Sequence, residues 1–296
     1  MTKPRRVHPL AIVIAFLLLI VMFGGMVFAA LHHGTPVRFG LTPGAHAFGA
    51  SRLLQYSSPQ YKAVMYDDEV TVLRALDNKV LDAALVCADH AQSLDNSVYE
   101  IRGVFSVLDL IVLSSESTVM DMQSLSGRAL ILPESLQNTP EEWMLRQLLI
   151  DADTAGIEMI YARNPASAVA QHAGAVVLVK ADDLSQALKL LPTFSARFRL
   201  SSAWRDIYFT VPPANYCIVA RRELIGTSTF ASFEKHLRDS MLYADRKRKK
   251  TIAMAVASGI FDTEAQADQL IDFMSFTYHE GEDAEKSLKA RNELSF

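Results

Sequence analysis

The residues best suited to hold another molecule are Ser135, Gln137, Asn138 and Thr139, within the segment Glu134-Ser-Leu-Gln-Asn-Thr139. This segment joins an apolar run, Ala129–Leu132, to Pro140-Glu141-Glu142. Thr139 is placed to cap a helix, with proline at the first helical position and Glu142 three residues after the cap. The first amides of such a helix are unpaired and attract negative charge. Hydroxyl and amide side chains add further donors, so the chemistry on offer is capture of a polar or anionic molecule. The same residues also make an ordinary capping loop, and Glu134 opposes a strongly anionic ligand if it faces the site. His46 stands just after the turn Thr42-Pro43-Gly44, and Asp89-His90 follow the short apolar run Ala83–Cys87. Each has a plainer alternative, as a helix-start residue, an N-cap or a surface histidine.

Catalytic signatures are missing. The sequence contains no G-x-S-x-G, no H-E-x-x-H, no phosphate-binding loop and no paired C-x-x-C. The eight histidines are scattered, so neither an enzyme nor a cofactor is expected.

The elements that must carry these loops are read from apolar periodicity. Val37–Leu41 alternates as a strand and is followed by a helix over 45–55; Tyr61–Tyr66 is a strand. Asp67-Asp68 lead a helix with Val70, Leu73, Leu76 and Val80 at helical spacing, and Leu81–Cys87 is a buried strand. Tyr99–Ser106 and Val107–Leu113 complete a first group of about five strands. The alternation then repeats: strand 128–132, helix 140–151, strand 157–161, helix 166–172, strand 175–179, helix 181–191 and a strand over Phe194–Trp204. Strands and helices alternating at this spacing call for parallel sheets covered on both faces. From Thr227 onward the chain is helical. Arg246–Lys250, RKRKK, is expected on a solvated face, and the charged tail 278–296 is expected to fray.

Composition narrows the partners. With 296 residues, 50% of them hydrophobic, the chain can bury a core in one large domain or two lobes. Lys3, Arg5 and Arg6 lie in the first 34 residues, which hold no acid; the remainder carries 33 acidic and 26 basic side chains (29 less those three). That balance argues against nucleic acid as a partner. Cys87 and Cys217 make no disulfide framework; each sits in an apolar run suited to a buried thiol, and a single bridge between them stays open. The basic head followed by the uncharged run Leu10–Leu31 is long enough, at about 33 Å as a helix, to cross a bilayer. It predicts a membrane anchor or a signal helix, with the remainder of the chain on the extracytoplasmic face.

Val107–Pro133 carries a resemblance. A strand, a Ser-containing connection, Leu-Ser-Gly-Arg (125–128), an apolar strand and a capped helix resemble the lobe crossover of bacterial solute-binding proteins. The subgroup is the SsuA-like one, serving nitrate, sulfonate, taurine and thiamine-precursor ABC importers. Three further stretches are similar to that family: Gly40-Leu-Thr-Pro43; Ala75-Leu-Asp-Asn-Lys-Val-Leu-Asp-Ala-Ala84; and Pro212–Leu224. In the second, Lys79 stands where the family has glycine, and Asn78 is expected to take the left-handed cap instead. The resemblance implies an α/β, two-lobed periplasmic-binding-protein (type II-like) fold with an N-terminal transmembrane or signal helix. It implies a signal or anchor segment over 1–34, a first lobe over 35–113 and 216–296, and a second lobe over 114–215. It further implies a small-molecule ligand held between the lobes by Pro43, Gly44, His46, Asp89, Ser135, Gln137, Asn138, Thr139 and Asn215. Hinge closure, ABC permease subunits as partners and the extracytoplasmic face of a bacterial inner membrane complete the expectation. An anchored sensor or scaffold that keeps the fold without transport is the alternative.

Overall fold

In the computed structural model, which describes residues 35–56, 58–105, 110–271 and 278–294, strands and helices alternate as the apolar periodicity requires. The segment 1–34, with the expected N-terminal helix, lies outside the described residues; among those described, no helix is long and apolar enough to cross a membrane. β1 (Val37–Leu41) leads to a 3-10 turn, Ala45–Ala50, and α1 (Ser51–Gln55), then β2 (Tyr61–Met65), α2 (Glu69–Asp77), β3 (Ala83–Cys87), α3 (Ala88–Ser93) and β4 (Tyr99–Phe105). Next come β5 (Leu110–Ser114), β6 (Ala129–Pro133), α4 (Pro140–Asp151), β7 (Glu158–Ala162), α5 (Pro165–Val169), β8 (Val176–Lys180), α6 (Leu184–Leu190), β9 (Ser195–Arg199) and α7 (Leu200–Tyr208). β10 (Tyr216–Arg221), α8 (Ser228–Arg246), α9 (Arg248–Ala257), α10 (Glu264–Ile271), β11 (Tyr278–His279) and α11 (Gly281–Glu293) complete the order.

Two sheets result, ordered β11-β4-β10-β3-β1-β2 and β7-β6-β8-β5-β9. In the first, β1 runs parallel to β2 and β3, while β10 inserts antiparallel between β3 and β4. In the second, β6 runs parallel to β7 and β8, and β5 runs antiparallel between β8 and β9. Both faces of the second sheet are covered. Leu110, Val112, Leu130 and Leu178 pack with Leu145 and Leu148 of α4 and Trp204 of α7. Ile111, Leu113, Ile131 and Val177 share a core with Leu184 of α6. Runs such as ALIL and VVLV are apolar at every position because both faces are buried.

Close approach selects glycine at Gly103. A Cβ there would stand 2.3 Å from the Tyr278 ring, which β11 lays over β4 beside Phe105. At the end of α2 the expected backbone is present, but Lys79 adopts it (φ 59) rather than Asn78 (φ −78). Lys79 N–H donates to Leu76 O and Val80 N–H to Ala75 O, the paired bonds of a helix-closing Schellman turn. A lysine therefore takes the strained position where the resembled family has glycine.

Further expectations are corrected. Both sheets are mixed and not wholly parallel, because β10 and β5 each run antiparallel to the strands beside them. The apolar strand placed at 107–113 in the first group is β5, and it lies inside the second sheet, between β8 and the edge strand β9. Sequence-adjacent strands usually pair, which favoured the first group, but an all-buried strand suits the middle of either sheet. Phe194–Trp204 is extended only over Ser195–Arg199, because Leu200, Ala203 and Trp204 then turn one face of α7 inward. Over its described residues, 278–294, the charged tail does not fray: α11 buries Ala284, Ser287 and Arg291. Ser287 Oγ donates to Pro212 O at 2.6 Å, Ala214 N donates to Ser287 O at 3.2 Å, and Arg291 Nη1 donates to Ala214 O at 2.9 Å. Its Ala284 and Leu288 pack with the first sheet's core, Ala290 and Leu294 with the second's.

Candidate ligand cleft at the facing sheet edges

The topology determines which ends of the strands face each other. β4 ends and β10 begins at the same edge of the first sheet, since Tyr216 pairs with both Phe105 and Cys87. That edge is also the carboxyl end of the parallel strands β1, β2 and β3. β5 begins beside Lys180 and Arg199, at the carboxyl ends of β8 and β9. The outgoing connection between the sheets therefore joins one carboxyl edge to the other, and the returning one re-enters the first sheet at that edge. Loops at such edges are where open α/β sheets collect ligands.

At the first edge, the turn after β1 presents His46. Gly44 lies at φ 129, ψ 175, and a Cβ there would stand 2.9 Å from the imidazole. A side chain at position 44 would thus be strained twice over, by its backbone and by His46. His46 is buried, exchanges a hydrogen bond with Thr42 Oγ1 at 2.9 Å and stacks on Tyr216 with ring centroids 4.2 Å apart and planes 2° from parallel. Burial lowers its pKa to about 4, partly offset by the Glu69 carboxylate, so the ring is neutral at neutral pH. Its Nδ1 is buried without a hydrogen-bond partner among the described residues.

The loops after β2 and β3 bring three more groups together. Asp68 caps α2 by accepting from Thr71 N at 2.7 Å, which positions Glu69 in the first turn. Glu69 Oε1 accepts from Cys87 N at 2.6 Å and lies 2.9 Å from His90 Nδ1, which in turn lies 3.1 Å from Cys87 Sγ. Ligand atoms of all three fall within 4.8 Å of one another, a spacing compatible with a metal ion.

A cysteine beside a histidine and a carboxylate invites a nucleophilic reading, and the geometry opposes it. A working relay uses one imidazole nitrogen for the nucleophile and the other for the acid. Here both partners crowd the same nitrogen. Burial also pushes the Cys87 thiol up to about 11, away from the thiolate that attacks.

Among the other expected residues, Pro43 is exposed beside Gly44. Asp89 follows Cys87, but Arg291 Nε and Nη2 hold its two carboxylate oxygens at 2.9 and 3.0 Å. Those hydrogen bonds keep the Asp89 carboxyl below its ordinary pKa. Asn215 opens β10: its N–H donates to Phe105 O, its carbonyl accepts from Ala88 N, and its Nδ2 lies 3.4 Å from Glu141 Oε1. Asn215 therefore links the first edge to the start of α4. Cys217 and Cys87 are free thiols. Cys217 pairs with Val86 and Tyr216 with Cys87, so the two thiols point to opposite faces of the sheet.

The 134–139 loop occupies the carboxyl end of β6, on the second edge. Thr139 caps α4, accepting from Glu142 N at 3.4 Å while donating to Leu136 O at 2.8 Å. Glu142 reaches back to Asn138 N at 2.5 Å, and Asn138 sits at φ 61. The capping chemistry uses Thr139 and the Asn138 amide; the side chains of Ser135, Gln137 and Asn138 are exposed. Beside this loop a recess of about 360 Å³ is lined by Pro133, Arg163, Asn164, Asp183, Gln186 and Leu191, among others. Arg163 pairs with Glu134 at 3.1 Å.

Sequence reasoning did not select Thr42, Glu69, Cys87, Glu141 or Arg291. For Glu69 and Cys87 the signal was local, a residue just inside a capped helix and one ending a strand at the carboxyl edge. Arg291 left none, being 202 positions from its partner in a charge-rich stretch.

No family model matches the sequence. No curated protein matches it either. Solved structures do. A protein described as an ABC transporter from Parabacteroides distasonis superposes with a TM-score of 0.65 at 17% identity, over 88% of this chain and 92% of that one. The periplasmic aliphatic sulphonate binding protein SsuA from Escherichia coli gives 0.58 at 16% identity, over 88% and 86%. The alkanesulfonate-binding protein SsuA from Xanthomonas axonopodis pv. citri, bound to MOPS, gives 0.50 at 15% identity, over 88% and 91%. At such identities the likeness is one of fold: this chain has the α/β fold of periplasmic binding proteins.

Proposed function

We propose, from a fold shared with sulfonate-binding proteins, that the chain is the extracytoplasmic solute-binding component of an ABC importer. It captures a small polar or anionic molecule between two lobes, one built on each sheet, and presents the closed form to the permease. The lobes divide where the chain passes between sheets, after Phe105 and again before Tyr216. The observation that carries this reading is the pair of facing carboxyl edges, each furnished with polar groups from separate loops. The first edge supplies the turn at Pro43-Gly44, neutral His46 with its unpartnered nitrogen, and Asn215. The second supplies Ser135, Gln137, Asn138 and Thr139 beside the recess at Arg163. Closure around a solute is a hinge motion. The lobes also meet where α6 packs against α10, so opening must separate those helices.

Thermal-shift screening of the purified chain against alkanesulfonates, taurine, nitrate and pyrimidines tests the reading. A true solute at 100 times its Kd adds about 2.7 kcal/mol of stability. We expect one class to raise Tm and, in small-angle scattering, to reduce the radius of gyration. Stabilisation by none of them, or binding with no change in radius, removes the clamshell mechanism.

The segment 1–34 completes the proposal as a retained anchor. Its apolar run of about 22 residues exceeds the roughly 7–15 of a cleavable signal core, and tethering would raise the local concentration at a permease. Intact-mass measurement from native membranes should return the full chain, extracted only with detergent. A chain beginning at Ala30 or Leu31 and released without detergent would end this part of the reading.

A further inference from the structure

We propose that Glu69, Cys87 and His90, at the carboxyl edge of the first sheet, form a site for a divalent transition metal of the zinc class. Cys87 ends β3, His90 lies in α3, and Glu69 opens α2 after β2, so two parallel strands of one sheet and the helices that follow them hold the ligand set together. The donors are one carboxylate oxygen, one sulfur and one imidazole nitrogen. Calcium and magnesium take oxygen ligands, whereas a mixed set of this kind suits zinc or its neighbours.

The present contacts are those of a set drawn slightly too tight. Around tetrahedral zinc, with bonds of about 2.3 Å to sulfur and 2.0–2.1 Å to nitrogen and oxygen, sulfur and nitrogen lie about 3.6 Å apart and nitrogen and oxygen about 3.4 Å. Here the corresponding separations are 3.1 and 2.9 Å. Admitting the ion needs a spread of about half an ångström. The His90 ring, with a side chain 47% exposed, is free to make it.

Three further features favour a cation over a closed hydrogen-bonded trio. His90 Nδ1 faces both the thiol and the carboxylate, and one nitrogen cannot serve both well: protonated it donates to Glu69, unprotonated it accepts from the thiol. A metal satisfies all three donors at once. Next, the Cys87 amide already donates to Glu69 Oε1 at 2.6 Å, the kind of outer contact that orients a ligating carboxylate. Finally, a carboxylate and a metal-bound thiolate carry two negative charges, which balance a divalent ion. Three protein ligands leave the fourth position to water or to an anionic group in the cleft.

Titration of the full chain with zinc in competition with a chromogenic chelator tests the site, using Cys87→Ser, Glu69→Gln and His90→Ala. We expect a stoichiometric site in the parent, weakened at least about 10-fold by each change. Cobalt(II) should give a thiolate-to-metal charge-transfer absorption that Cys87→Ser abolishes. His32 and His33 are common to every variant, so any zinc they hold is the same in all of them. His90→Ala alters a half-exposed ring and should leave the circular dichroism spectrum unchanged, which separates a loss of affinity from unfolding. Failure of the parent to compete with the chelator, parent-like affinity in the variants, or an unchanged cobalt spectrum in Cys87→Ser overturns the proposal. No solute is present in these titrations, so their outcome and that of the solute screen are read separately.

Discussion

Acidification from pH 6.5 to pH 4 is expected to cost the folded chain about 3 kcal/mol through His46 alone. In the unfolded chain this imidazole titrates near 6.5; in the fold, burial lowers it to about 4. Above pH 6.5 both states hold a neutral ring and His46 contributes no pH dependence. As the pH falls through the window the unfolded chain gains a proton that the folded one refuses, and the equilibrium moves toward unfolding. Below about 4 both are protonated and the loss levels off. The half-buried His279, also lowered by burial, acts in the same direction, so a variant is needed to isolate His46. His46→Phe keeps an aromatic ring against Tyr216 and removes the titration. Urea unfolding at several pH values should show a slope between pH 6.5 and 4 in the parent that is flatter in the variant. Equal slopes would mean that His46 is hydrated in solution. The same burial bears on binding, since a neutral ring meets a solute as a hydrogen-bonding group and not as a cation.

Arg291→Ala is expected to destabilise the chain by about 3 kcal/mol, the low end for removing one partner of a buried ion pair. Arg291 is 5% exposed, and its guanidinium meets the Asp89 carboxylate, the Ala214 carbonyl and, at 3.8 Å, Glu141 Oε1. Those three belong to α3, the returning connection and α4. The low end applies because the Asp89 side chain is 58% exposed and regains water once released, whereas Ala214 O is left without that donor. A cycle with Asp89→Ala should show the two changes falling short of additive by about 1–2 kcal/mol. Denaturant midpoints for the four proteins decide it. Destabilisation of Arg291→Ala below about 0.5 kcal/mol would show that α11 does not hold the connection between the sheets.

The two expectations bear on one region. His46 stacks on the first residue of β10, and Arg291 secures the residues that lead into it. A solute held between the sheet edges would lie against a wall supported from behind by α11. That support arises from small and polar residues: Ser287 and Arg291 bury hydrogen bonds, while Ala284 and Leu288 supply a narrow apolar stripe. In sequence such residues look like those of a solvated helix, which is why a frayed tail was expected there.

What the sequence determined by itself is what short-range physics controls. Alternating apolar periods produced the strand–helix succession, and the Thr139, Pro140 and Glu142 cap formed as read. The loops expected at strand ends are at strand ends, because chain direction is inherited from one element to the next. Tertiary structure alone decided which sheet received β5, since a strand apolar on both faces carries no mark of its neighbours. It also brought Glu69 within reach of Cys87 and His90, 18 and 21 residues away, and Arg291 to Asp89 across 202. Such contacts depend on where whole elements dock. Docking is governed by shape and burial summed over many residues, so a polar side chain carries in its own sequence neighbourhood no record of the partner it will meet.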